Sequence, residues 1–349
     1  MTRSQLRGEL RSGPDDPAPP AWSAVAARLG KTSDTLNFED SESRVAAKIQ
    51  TNERIIENAK KNPQFKKGLQ EFLDTPMDEE FMEMWMRGDY PKDMRYDVAS
   101  AAIRAALGMQ GNRPPSSLVP KGSTVRDLLN RLANPDEELL TVHDVSNNSL
   151  KGRTAEDIVT QLLVRQFVDG WAKTSNDSDP RSISKQMAAA EMHGIDYESF
   201  YKEYRHKGAK VDKVVMQEAR DQLNRDRDIL QALTQAEYDA TQAFFKEAGI
   251  KTVTLFRGVR VPYSATKPLP EVGDVVKSGS NPLSSWAMDW TIASEFFGHG
   301  VGGNTGLTFA MEVPVEMIQS VPVTGRGCLS EYEAVVIGYP SEMLVVNVS

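Results

Sequence analysis

Cysteine is almost absent. Cys328 is the single one in 349 residues, so no intrachain disulfide can form and no thiolate cluster can hold zinc. Histidine is nearly as scarce. His143, His193, His206 and His299 are scattered without ligand spacing, which argues against a metal centre, and none is expected. No run of about 18 apolar residues occurs, so no transmembrane helix and no membrane partner are expected. Met1 to Pro20 carries Arg, Asp and Pro but no apolar stretch. The expectation is a soluble chain without a secretory signal, folded in a reducing cytoplasm. There is no basic stripe either: the formal net charge is −8, which argues against a general nucleic-acid binder. Internal repeats are also lacking.

What is present is length enough for two domains. Residues 1–40, with Gly13-Pro14-Asp15-Asp16-Pro17-Ala18-Pro19-Pro20, read as a disordered tail. A helical N-terminal domain is expected over 41–122. Val45, Ile49, Asn52 and Ile56 recur at i, i+4, i+7 and i+11. The cluster Phe81, Met82, Met84, Trp85 and Met86 could be a soft binding surface, but ordinary helix core is the stronger reading. A third helix is expected over Met94 to Met109, then a linker at Gly111 to Ser117.

A second domain is expected over 123–349, with helices to 249 and a β-rich core from 250. Thr154 with Asp157 reads as a helix cap. Thr234-Gln235-Ala236-Glu237 matches a capping box, opening a helix that stops at Gly249. Thr174 to Pro180 reads as a loop or cap that could touch a nucleotide. From 250 the apolar period shortens toward two, predicting strands near 252–257, 306–313, 332–338 and 343–348. One helix, near 289–297, is expected to be capped by Asp289 and stopped by Gly298. The fold class is therefore α+β: a helical N-terminal region followed by a β-rich C-terminal core.

Three short motifs stand in that last region. Glu331-Tyr332-Glu333 opens a Val- and Ile-rich run to Gly338. On a strand its two carboxylates share one face, an arrangement suited to chemistry at a sugar carbon that becomes cationic. Val253 to Gly258 reads as a strand ending in Arg257-Gly258. Between these lies Pro282-Leu283-Ser284-Ser285-Trp286-Ala287-Met288-Asp289, followed by Ala293 and Phe296. Alone, each has a plain explanation: the solvent face of a strand, a surface arginine before a turn, a core aromatic.

Their order, arginine on a strand, a serine-centred segment with a short helix, then Glu-x-Glu on a strand, resembles the R-S-E class of mono-ADP-ribosyltransferases. That group includes arginine-modifying bacterial toxins, their phage relatives and vertebrate ectoenzymes. The resemblance covers roughly residues 234–349. It implies an ADP-ribosyltransferase-like split β-sandwich core with NAD as substrate. Glu333 would be the catalytic carboxylate. Glu331 would orient and deprotonate a target arginine on an acceptor protein. Arg257 would anchor phosphate or ribose, and Gly258 would let the nicotinamide amide approach the backbone. Ser285 would hold the site together, with Ser284 as a possible substitute because Trp286 and Ala287 stand where the family has Thr and Ser. Phe296 or Trp286 would pack near the nicotinamide.

The loop Gly325-Arg326-Gly327-Cys328-Leu329-Ser330 corresponds to the family's acceptor-contacting loop, and its two glycines imply conformational freedom. Cys328 reads as a small loop or core residue. The run Gly298 to Asn304 lacks the Lys-Ser/Thr of a phosphate loop and reads as a connection. Alternatives are an NAD glycohydrolase with the same site, and a virion or structural protein using the fold as a scaffold. The helical extension is expected to dock on a larger assembly, as in a phage-borne or injected effector.

Overall fold

A computed structural model of the protein describes residues 41–88, 93–107, 122–142, 148–171, 179–197, 213–262, 269–278, 281–295, 304–328, 332–338 and 341–348. The expected tail over 1–40, the linker at 111–117, residues 174–178 and the glycine-rich run 298–303 lie outside these. So do Phe296, Glu331, His143, His206 and His299. The fold mixes helices with an antiparallel sheet, the helices coming first in the chain.

The helices are α1 (Ser41–Lys61), α2 (Pro63–Asp74), α3 (Glu79–Arg87), α4 (Met94–Leu107), α5 (Val125–Ala133), α6 (Glu137–Val142), α7 (Ala155–Asp169), α8 (Pro180–Met192), α9 (Lys213–Ala248) and α10 (Trp290–Glu295). The strands are β1 (Thr252–Pro262), β2 (Val275–Ser278), β3 (Leu283–Ala287), β4 (Asn304–Pro314), β5 (Ile318–Ser320), β6 (Glu333–Ile337) and β7 (Ser341–Val348). They divide into two compact units. One is drawn from Ile55–Ala188 and Lys210–Ala236, the other from Met1–Arg54, Ala189–Ala209 and Glu237–Ser349.

In the first unit, local chemistry starts the helices and apolar stripes pack them. Thr124 accepts from the Asp127 N–H while the Asp127 carboxylate accepts from the Thr124 N–H at 2.8 Å, a reciprocal cap for α5. Thr154 caps α7 through the Asp157 N–H, as the sequence predicts. Phe65, Leu69, Phe72 and Leu73 bury one face of α2, and α2, α4, α5 and α7 pack on one another. Helices from both sides of residue 122 thus share this core, and the expected boundary lies within it. Phe81 and Trp85 are core residues: both are buried, and Trp85 meets Tyr96 edge-on at 5.6 Å between ring centroids.

Helix α9 corrects one expectation. Thr234 does not open a helix; it sits two thirds of the way along one. Its hydroxyl donates to the Leu230 carbonyl at 2.8 Å, so it is satisfied without breaking the ladder. The helix does end at Gly249, whose φ is 68°.

The second unit holds seven antiparallel strands in the order β2-β7-β4-β1-β3-β6-β5. β1 and β4 pair along their whole length, from Thr252 opposite Pro314 to Pro262 opposite Asn304. β3 and β6 pair from Leu283 opposite Ile337 to Ala287 opposite Glu333. Between these blocks, β1 and β3 pair at Phe256 and Ala287 alone. The two blocks of this one sheet therefore meet at a seam in its middle. One face packs Phe244 and Phe245 of α9 against Leu255, Trp286, Phe309, Val313 and Val336. The other carries a smaller cluster, Phe256, Ala287, Ala293 and Ala310.

The four predicted strands are present. β3, the serine-centred segment, is a strand that periodicity missed because Leu-Ser-Ser-Trp-Ala shows no clean alternation. β6 begins only at Glu333, since Tyr332 has φ 45°. The strand alternation expected across Glu331-Tyr332-Glu333 therefore does not apply: a left-handed residue interrupts it.

Candidate functional site

The seam holds a cavity of about 180 Å³. Arg257 and Gly258 of β1, Ser285 of β3 and Glu333 of β6 line it. Trp286, Phe256, Ala287 and Ala293 complete its walls. Three strands distant in sequence thus bring three of the motif residues to one place. The pleat explains how. Ser285, Ala287 and Glu333 lie on one face of the β3–β6 block, because Ala287 is directly opposite Glu333. Arg257 lies on the other face of β1, with its guanidinium carbon 5.8 Å from the Trp286 ring centroid. With β1 and β3 paired at one position, residues from both faces line one cavity.

Glu333 is 4% exposed. The Cys328 N–H donates to its Oε2 at 2.7 Å, and its own N–H donates to the Cys328 carbonyl at 3.2 Å. A backbone amide thus aims the carboxylate, at charge-assisted hydrogen-bond length. Tyr332 sits between loop and strand in the left-handed region, which costs a bulky residue of order 1–3 kcal/mol and marks an over-determined position. Its carbonyl accepts from the Met288 N–H at 2.9 Å, fixing it to the end of β3.

Ser284, expected as a possible substitute for Ser285, is not in the cavity. Adjacent strand residues point to opposite faces; Ser284 is buried and its hydroxyl donates to the Asn281 carbonyl at 3.1 Å. Asp289 caps α10, accepting from the Ile292 N–H at 3.3 Å, and α10 delivers Ala293 to the cavity wall. Glu331 and Phe296, the remaining expected site residues, lie outside the described residues.

The loop before Glu333 differs from expectation. Arg326 is fully buried and pairs with fully buried Glu237 of α9. Its Nη2 and Nε donate to Glu237 Oε2 at 2.7 and 2.9 Å, and its backbone N–H donates to Oε1 at 2.5 Å. Gln319 of β5 donates to the same carboxylate at 3.0 Å and shares a 3.0 Å hydrogen bond with His193. Burial holds the His193 imidazole below its usual range. The Arg326 charge acts in the same sense and the Gln319 hydrogen bond against it.

The two loop glycines serve close approach, not freedom. A Cβ on Gly325 would fall 2.3 Å from the Glu237 carboxylate, and Gly327, with φ 143°, would place one 2.9 Å from the Glu333 carbonyl. Sequence reasoning had placed Glu237 in a cap. The overlooked signal was a carboxylate on the buried stripe of α9, in register with Thr234, Thr241 and Phe244.

A larger cavity, of about 610 Å³, lies in the helical unit and includes Asp97, Arg165, Arg181 and Lys185. Its cations have partners of their own: Arg181 pairs with Asp97 and Asp179, Arg165 with Asp169. Among the described residues no group of His, Cys, Asp and Glu could hold a metal ion, and no helix is long and apolar enough to cross a membrane. Compared with known proteins, the chain matches no family profile, no curated protein sequence and no solved structure.

Proposed function

We propose that this chain is an NAD-dependent mono-ADP-ribosyltransferase that modifies arginine side chains. The observation that carries the reading is the convergence of Arg257, Ser285 and Glu333 on one cavity at the seam of an antiparallel sheet. The seam supports an ADP-ribosyltransferase-like core, and the order of the three motifs along the chain supports the same class.

The chemistry follows from the residues. A cavity of about 180 Å³ is below the ~300–1,000 Å³ of whole-ligand sites. It suits the nicotinamide and its ribose, with the rest of the dinucleotide outside. Arg257, always charged, provides paired donors for phosphate or ribose oxygens. Trp286 and Phe256 give the nicotinamide flat apolar walls. The glycosidic C–N bond breaks with its electron pair leaving on nicotinamide, and the ribose becomes oxocarbenium-like. Glu333 stabilises that cation; one oriented group of this kind contributes about 2.7–4 kcal/mol in other enzymes. The Cys328 N–H fixes the carboxylate before the charge develops, which avoids reorganisation during reaction. A guanidinium nitrogen of the acceptor then bonds to the ribose carbon and releases a proton to Glu331. The arginine assignment rests on that glutamate.

The test is incubation with labelled NAD and a bacterial lysate, wild type beside Glu333→Gln. Hydroxylamine-sensitive labelled proteins in the wild type alone support the reading. Free ADP-ribose without labelled protein would make the chain a glycohydrolase. Absence of NAD turnover would sink the enzymatic reading and favour a scaffold.

A further inference from the structure

We infer that the buried Glu237–Arg326 pair is a positioning device for Glu333, acting through the Cys328 amide. As a role in turnover, this rests on the function proposed above. Glu237 touches nothing in the cavity. It accepts four hydrogen bonds from Arg326, three from the guanidinium and one from the backbone N–H. Gln319 joins it from β5, which pairs with β6 at Ile318 opposite Val336. The Ser320 hydroxyl donates to the Arg326 carbonyl at 2.7 Å. The backbone of residue 326 is thus held at both its N–H and its carbonyl. Two residues later the Cys328 N–H meets Glu333 Oε2.

A pair that served stability alone has no need of the backbone contact, and burying an ion pair is a poor route to stability: replacement by apolar side chains of similar size is often neutral or stabilising. What apolar residues cannot do is hold a backbone N–H. Removing that hold lets 326–328 relax and withdraws the donor from Glu333. Gly325 fits the same account, since any side chain there would strike the Glu237 carboxylate.

The single cysteine makes the inference directly measurable. Protein labelled with ¹⁵N only at cysteine has one labelled backbone amide, that of Cys328. Glu333→Gln removes the charged acceptor and should move its proton resonance upfield. The double variant Glu237→Met/Arg326→Met should keep its melting temperature, yet move the Cys328 amide in the same direction and speed its hydrogen exchange at least tenfold. In turnover it should lower kcat at least tenfold with KM for NAD within twofold, because Glu333 acts on the transition state. A folded double variant whose Cys328 amide keeps its position and exchange rate overturns the inference. If the double variant does not fold, Glu237→Gln preserves volume and decides the matter by the same amide: a shift supports the inference, an unmoved resonance overturns it. If the wild type turns over no NAD, the amide readout still decides positioning, and only the functional reading falls.

Discussion

At the scale of single residues, the two adjacent serines offer the sharpest comparison. Ser285 lines the cavity and Ser284 does not. Ser285→Ala should lower NAD turnover with little change in melting temperature. Ser284→Ala should cost about 1 kcal/mol of stability, the usual worth of a hydrogen bond, and leave kcat unchanged. Chemical denaturation beside initial rates separates the two; the reverse pattern would reassign the motif serine. Arg257, Ser285 and Glu333 were singled out by the order of their three motifs along the chain, since each alone has a plain explanation. The clamp on Glu333 was not, because its partners lie 89 residues apart in sequence. Nor did any local signal announce the left-handed Tyr332.

Asp226 is a buried carboxylate in the helical unit. Its Oδ2 lies 3.8 Å from Arg225 Nε and makes no hydrogen bond. Burial pushes its pKa up to about 7, with the Asp93 charge adding to the shift and Arg225 and Arg95 opposing it. A folded-state value above the unfolded one means that the native state binds the extra proton. Stability is then lost as pH rises from the unfolded value near 4 through about 7. Asp226→Asn does not ionise. Its melting temperature relative to wild type should rise between pH 5 and pH 8, and a difference flat across that range would refute the assignment.

At the scale of elements, caps were readable where a polar residue stands before an apolar periodic run, and misleading where the run was already under way. Thr154 precedes α7. Thr234 follows Leu230 and Leu233, which continue the buried stripe of α9. Thr154→Ala should therefore cost about 1 kcal/mol in denaturant titration, the ordinary worth of a cap. The loop from β5 to β6 makes an element-scale prediction of its own. Gly325→Ala brings a methyl group against the Glu237 carboxylate. It should destabilise by about 1–3 kcal/mol, the range for an overpacked core, seen as a lower melting temperature. The longer strands rich in Val and Ile were legible by period; β2 and β5, of four and three residues, were too short to show one, and β3 was not legible because its serines and tryptophan serve the site and its neighbours rather than a simple two-sided pattern.

At the scale of the whole molecule, the residue pattern changes at 250, but the core of the sheet draws on the helix before it. Phe244 and Phe245 are buried under the sheet, and Glu237 holds the loop before β6. Losing one aromatic from a core costs about 3–5 kcal/mol, so losing both takes most or all of the roughly 5–15 kcal/mol that keeps a domain folded. A fragment of residues 250–349 should show no cooperative melt by circular dichroism, and a sharp transition from it would show that the sheet does not depend on α9.

The seam between β1 and β3 has a consequence for chain length. Where a ladder stops after one pair, ligand recognition can pass to peptide N–H and C=O groups, which every residue but proline supplies in full. What such a site cannot survive is a shift in phase. One residue inserted or deleted within 255–258 or 283–287 would turn every following side chain to the opposite face. Spacing along β1 and β3 is therefore as much a requirement of the cavity as the identities of Arg257 and Ser285.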